Sequence, residues 1–401
     1  MLLGEKMFKK IKILKYALIL LGAFLFGIIW AIFFDNDLFY KMSQGFKRIG
    51  WYAYPLLLIG VFYVTLIVHE LTHMIAFLVT GTKAKAIYIT GFVFMKKNNK
   101  WKFKFIPKMF ALFGGLVVPD IGEIKNENEY QKVTKSFSIS LISAPIASLV
   151  FGLLTFIAWL LLLFLTNAVV FIAIITIFMI FTTLFTILYT LASLVATNQA
   201  VGDFPAYKRM KSIDLFQISI LSQYLLFSSN LSEETESFIF DKSNEIIIKQ
   251  NDFYNQNIQS LLISYIDGIV FEEKPRIDEI DKIIEKLNDT RLLSTEAGKL
   301  LYFSKLYFLY ALVDSTKAIS NFRNREESIS KMQDVKYQYH KTLHIMNISD
   351  ESEYLNNKEN VSVGKMSFVF EPLIDYFEEE QKTIIKLTPK IIEVLNVNEN
   401  Q

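Results

Sequence analysis

Long uncharged stretches alternate with strongly charged ones along the chain, and the uncharged stretches set its architecture. Tyr16 to Phe34 is an uncharged run of 19 residues, long enough to cross a bilayer as one helix. Lys6, Lys9, Lys10, Lys12 and Lys15 precede it. The run is long for a secretory leader, and no small-residue cleavage site follows before Asp35, so it reads as a retained span. Ile49 to Val68 is uncharged too, and the apolar character continues past Glu70 to about Val79. This predicts a second span, with Pro55 in its first turn. Ser136 to Gly202 carries no Asp, Glu, Lys or Arg over 67 residues. As one helix these would run about 100 Å, roughly three times the hydrocarbon core, so they must fold back. Thr166-Asn167 is the polar pair near the middle, which predicts spans at 137–165 and 168–196 with a tight turn between.

Between the second and third spans the pattern changes period. Ala86 to Met95 is rich in Ile, Tyr, Val and Phe, Trp101 to Ile106 alternates with lysines, and Asn98-Asn99-Lys100 lies between them. This predicts a β-hairpin, read either as a basic element on anionic headgroups or as a substrate contact. Met109 to Pro119, with Gly114-Gly115, is apolar but too short to span, and reads as a re-entrant or interfacial segment. From about Ser212 the chain turns polar and helical. Leu261 to Phe271, Ile277 to Leu287, Leu292 to Val313 and Phe370 to Leu395 carry apolar residues at three- and four-residue spacing. Stacked helix pairs of a solenoid kind are compatible with this, without a clean repeat period, and Asn356 to Gly364 reads as a loop. The aromatic stripe Tyr302, Phe303, Tyr307, Phe308 and Tyr310 reads as core.

Charge separates the same regions. Of 42 Lys+Arg and 40 Asp+Glu, the chain up to Met210 holds 21 and 9, and the remainder 21 and 31. A basic membrane half and an acidic soluble half follow. The N-terminal lysines, and the lysine-rich loop after the second span, argue for cytoplasmic amino and carboxyl termini on a multi-pass protein. The expected division is an N-terminal segment with the first span and an external loop (1–50), a membrane core (51–210) and a soluble all-α domain (211–401). With 52% hydrophobic residues the chain is too apolar for an ordinary soluble protein of its size. The Lys/Ile/Asn/Phe-rich composition points to a bacterial source. There is no cysteine, so only His, Asp and Glu can hold a metal, and the chain has four histidines.

Two of those histidines carry the chemistry. His69-Glu70-Leu71-Thr72-His73 lies within the second span. On a helix His69 and His73 project from one face and can share an ion, and Glu70 beside them can take a proton from metal-bound water. Ionisable groups inside an apolar span are costly unless they function or are paired. The bland alternative is two interhelical hydrogen-bonding histidines with a cavity-facing Glu. A catalytic zinc takes three protein ligands, so a third is needed. Asp203 is favoured, being the first acidic residue after the uncharged stretch, at the end of the fourth span where the depth matches the histidines. Asp120, Glu123, Glu127 and Glu129 are its rivals, the last three reading as a solvated acidic run. His340 and His344 repeat the histidine spacing without the Glu and read as surface or half-buried residues, with an accessory metal site as the alternative.

His69-Glu70-Leu71-Thr72-His73, followed by Ala76, Gly81, Ile87-Tyr88-Ile89 and Gly91, resembles the active-site region of the site-2 protease family of intramembrane zinc metalloproteases. The resemblance covers roughly residues 50–210. It implies a three-helix protease-like core formed by the second, third and fourth spans, with Asp203 in Gly202-Asp203-Phe204-Pro205 as last ligand of one Zn2+. Ser143-Ala144-Pro145-Ile146-Ala147-Ser148 resembles the family's Gly-Pro-x-x-Asn stretch, with Ser148 at the asparagine position. The usual Leu-Asp-Gly around the aspartate and the Asn-x-x-Pro before it are missing, although Asn198 is close. The expected function is a membrane-embedded zinc endopeptidase with Glu70 as general base, acting on membrane-protein or peptide substrates in the lipid bilayer. The helical tail is a candidate surface for a protein partner, and no nucleic acid is expected. The alternative is a non-enzymatic receptor, immunity factor or scaffold on a protease-like frame.

Overall fold

The computed structural model describes residues 27, 36–97, 100–107, 110, 114–197, 201–225, 232–272, 274–357 and 360. The expected first span (except Gly27), Asn98-Asn99 of the expected turn and the helical pattern at Phe370 to Leu395 lie outside the described residues. After α1 (Asn36–Arg48) come three helices long and apolar enough to cross a membrane: α2 (Ala53–Val79), α3 (Glu127–Leu165) and α4 (Val169–Ser193). The break between α3 and α4 falls at the expected turn, Thr166-Asn167. The chain sorts into two compact units, Met1–His69 with Ala144–Val195, and Glu70–Ser143 with Ala196–Gln401. The division runs through α2 and α3 themselves.

In the first unit α1 lies along α4. Leu38, Phe156, Trp159, Leu163 and Ile172 form its buried apolar cluster. Two polar side chains here are satisfied inside the protein: Trp159 Nε1 donates to Thr176 Oγ1 at 2.9 Å, which donates to the Ile172 carbonyl at 2.7 Å.

The second unit contains an antiparallel sheet of β1 (Lys83–Ile89), β2 (Phe92–Lys97), β3 (Lys100–Phe105) and β4 (Gly115–Asp120), ordered β3-β2-β1-β4. One expectation is corrected here. The run Ala86 to Met95 is two strands, because Thr90-Gly91 reverses the chain and Ile89 pairs with Phe92. Gly91 takes φ of 81°, a left-handed conformation that glycine adopts at no steric cost. The Gly114–Pro119 part of the segment read as re-entrant or interfacial is mostly strand β4. It pairs with β1, and its Val117 and Val118 are buried. One sheet face, with Ala86, Tyr88, Val93, Met95 and Val118, forms a core that Leu116, Ile106 and Tyr224 cover. The other carries Ile87, Ile89, Phe92 and Phe94 opposite Phe103 and Phe105, and the Ile89–Gly115 pairing puts Gly115 on this face.

Among its other described residues the unit carries the helices α5 (Asp203–Ser212), α6 (Asp214–Leu225), α7 (Glu233–Ile248), α8 (Gln256–Phe271), α9 (Asp278–Lys286), α10 (Asp289–Leu292), α11 (Glu296–Leu312), α12 (Ser315–Arg323), α13 (Glu326–Ile329), α14 (Lys336–Ile345) and α15 (Ser352–Asn356). Ser232, Asn255, Asn288, Thr295 and Asp314 cap α7, α8, α10, α11 and α12 by accepting from first-turn N–H groups. α11 is the central helix, packed against α8, α12 and α14. Its stripe of Tyr302, Phe303, Tyr307, Phe308 and Tyr310 is buried, as the sequence pattern predicts.

Candidate metal centre

The site starts from one turn of α2. Residues four apart on an α-helix sit about 40° apart around its axis, so His69 and His73 share a face, with Glu70 offset by about 100° from His69. Each imidazole is oriented by a serine of α3. His73 Nδ1 lies 3.0 Å from the Ser140 carbonyl. A carbonyl only accepts, so the proton sits on Nδ1 and the lone pair on Nε2. Ser140 Oγ donates in turn to the His73 carbonyl at 3.1 Å. His69 Nδ1 lies 2.9 Å from Ser148 Oγ, a hydroxyl able to accept from it in the same tautomer.

Asp203 opens α5, in the first turn where a helix favours a carboxylate. Its Oδ1 lies 3.9 Å from His73 Nε2. A direct N–H···O bond would close to about 2.9 Å. Two ligands on a tetrahedral zinc, each about 2.1 Å from it, stand roughly 3.4 Å apart. The observed separation is therefore of the order expected for groups facing a shared cation. Among the described residues, His69, His73 and Asp203 form the one group of three His, Cys, Asp or Glu whose potential ligand atoms all lie within 4.8 Å of one another. Two imidazole Nε2 lone pairs and a carboxylate fit zinc, and three protein ligands leave a coordination position open.

Three of the four rival carboxylates are engaged elsewhere. Glu123 and Glu234 both pair with Lys125, at 2.7 and 2.8 Å, Glu127 pairs with Lys242 at 3.0 Å, and Glu129 accepts from the Lys125 N–H at 2.7 Å. Asp120 ends β4 and is not in the group. His340 Nδ1 lies 2.8 Å from Glu351, and His344 Nδ1 accepts from the Glu351 N–H at 3.3 Å. That pair organises the segment after α14 and forms no three-ligand group.

Three residues enter the site that the sequence reading does not single out. Ser140 carries only the signal of serines at four-residue spacing, Ser136 and Ser140, in an uncharged helix. Gly115 abuts the Glu70 side chain. Tyr224, on α6, packs its ring 5.2 Å from Phe137. Its phenol is pushed up to about 12, first by burial and then by the negative charge of Glu70 and Asp203. Nothing local in the sequence marks Gly115 or Tyr224.

Apolar helices able to cross a bilayer, together with a His–His–Asp group on and beside one of them, define a membrane protein with a metal-type site. The chain belongs to peptidase family M50, the site-2 protease family, whose family model matches residues 57–396. No curated protein and no solved structure matches it. Membership implies a membrane metallopeptidase within a family of zinc metalloproteases. The match extends well past residue 210, where the motif resemblance stops, and takes in the helical region.

Proposed function

We propose that the chain is a membrane-embedded zinc-dependent endopeptidase that hydrolyses peptide bonds within or next to the bilayer. The observation that carries this reading is the convergence of His69, His73 and Asp203, with Glu70 one residue from the first of them. These three residues would hold the ion, which when bound would polarise the scissile carbonyl and make water a nucleophile at neutral pH. Glu70 would take the proton from the attacking water as the C–O bond forms, and would then deliver it to the departing amine nitrogen as the C–N bond breaks. Ser140 and Ser148 keep both imidazoles oriented. Residues 51–210 form the working core in this reading, and 211–401 a helical domain attached to it.

A transmembrane substrate must be locally unwound first, because its own backbone hydrogen bonds shield the carbonyl. An unwound segment can then be held by strand addition to a sheet edge. The sheet has two edges, β3 and β4, and it is β4 whose first residue abuts Glu70. We place the substrate strand on the β4 side. The test is quantitative proteomics of membrane peptides from cells carrying wild type or Glu70→Ala. Peptides that disappear in the variant, while the protein level holds, are the expected result; identical peptide sets would overturn the reading.

A further inference from the structure

Strand β4 begins at Gly115 and presses directly on Glu70. A Cβ placed on Gly115 would stand 2.5 Å from Glu70 Cδ, 2.7 Å from Oε1 and closer still to Cγ. Non-bonded carbons sit comfortably at about 3.5–4.0 Å, so no residue with a side chain fits there unless something shifts by about 1 Å. The strand is the stiffer of the two partners. Gly115 pairs with Ile89 and Leu116 with Tyr88, and Thr90 donates to the Gly114 carbonyl from both its N–H, at 3.0 Å, and its Oγ1, at 2.7 Å. Val117 and Val118 anchor the strand just beyond, in buried surroundings. The element that gives way is the Glu70 side chain.

We propose that Gly115 is a positioning residue for the general base: its bare Cα forms the wall that sets where the Glu70 carboxylate lies. This deepens the proposed function and rests on it. A displacement of about 1 Å at a reacting group can cost about 10²-fold in rate. A side chain at 115 therefore acts through Glu70, while the metal ligands are left in place.

The test is a cycle over positions 115 and 70, read on the full-length protein in detergent or nanodiscs. Gly115→Ala is expected to bind zinc like wild type, to hold KM within about threefold and to lose about 10²-fold in kcat. A second readout needs no turnover. In metal-free protein Gly115→Ala should lower Tm by a few degrees, and the shift should vanish in a Glu70→Ala background, where the clashing atoms are gone. A wild-type kcat in Gly115→Ala, or a Tm shift unchanged by Glu70→Ala, overturns the proposal. Wild-type cleavage by Glu70→Ala alone would instead overturn the general-base reading, because the thermal cycle does not depend on catalysis.

Discussion

Ser148 and Ser140 hold the two histidines by different means, and the difference predicts an asymmetry. The Ser148 hydroxyl bonds His69 Nδ1 at 2.9 Å, and Ser148→Ala removes it outright. His69 and Ser148 are both buried, so water does not readily replace the lost partner. A buried polar group stripped of its partner costs about 1–3 kcal/mol, and loss of such a ligand-orienting bond typically weakens metal affinity about 10–100-fold, roughly 1.4–2.7 kcal/mol. His73 Nδ1, by contrast, bonds the Ser140 backbone carbonyl at 3.0 Å, which every residue type supplies. Ser140→Ala loses only the hydroxyl, 3.3 Å from Nδ1, and its bond to the His73 carbonyl. Its effect on zinc affinity should stay below about threefold. The assay is competition for zinc against a chelator of known affinity on purified, detergent-solubilised protein, with Tm as a folding control. Equal effects of the two substitutions, or the larger effect at Ser140, would refute the tautomer argument.

Three further outcomes follow from the same geometry. Asp203→Asn should weaken zinc binding at least about 10-fold, while Asp120→Asn leaves it unchanged; the reverse ranking in the chelator assay would move the third ligand to β4. Trp101→Pro, which removes an N–H facing the open side of the β3 edge, should leave cleavage within about threefold of wild type; loss of cleavage with zinc content intact would move the substrate strand to β3. The phenols of Tyr88, Tyr265 and Tyr302 are held above their ordinary 10.0 chiefly by burial. A raised pKa in the fold means their contribution is fully present below about pH 10 and is lost as pH rises beyond it. Phenolate absorbance should therefore show a fraction of tyrosines that ionise only as helical ellipticity falls; complete titration near the ordinary phenol pKa of about 10, with helicity intact, would contradict this.

The parts of this fold that the sequence reveals are those written in local spacing. The long apolar runs, their break at Thr166-Asn167 and the buried stripe on α11 all follow from periodicity and charge within short windows. The His69–His73 pair is equally local, four residues apart on one helix. Asp203 stands out only because it ends a long uncharged run, and the structure places its carboxylate beside His73. What stays hidden depends on distant pairing. Thr90-Gly91 turns the chain inside a run that is apolar on both sides, so the alternation that marks a strand end is absent. β4 is short and glycine-led, and nothing near it in the chain predicts that it pairs with β1. The contacts of Ser140 with His73, and of Gly115 with Glu70, exist only once helix and sheet have packed.

The central claim is a zinc ion held on α2 and used by Glu70. Metal analysis of purified full-length protein tests it most directly. The account predicts close to one zinc per chain in wild type and in Glu70→Ala, and almost none in His73→Ala, with Glu70→Ala unable to cleave. Wild-type protein that carries no zinc after purification without chelators, and gains none on addition of the ion, would contradict it.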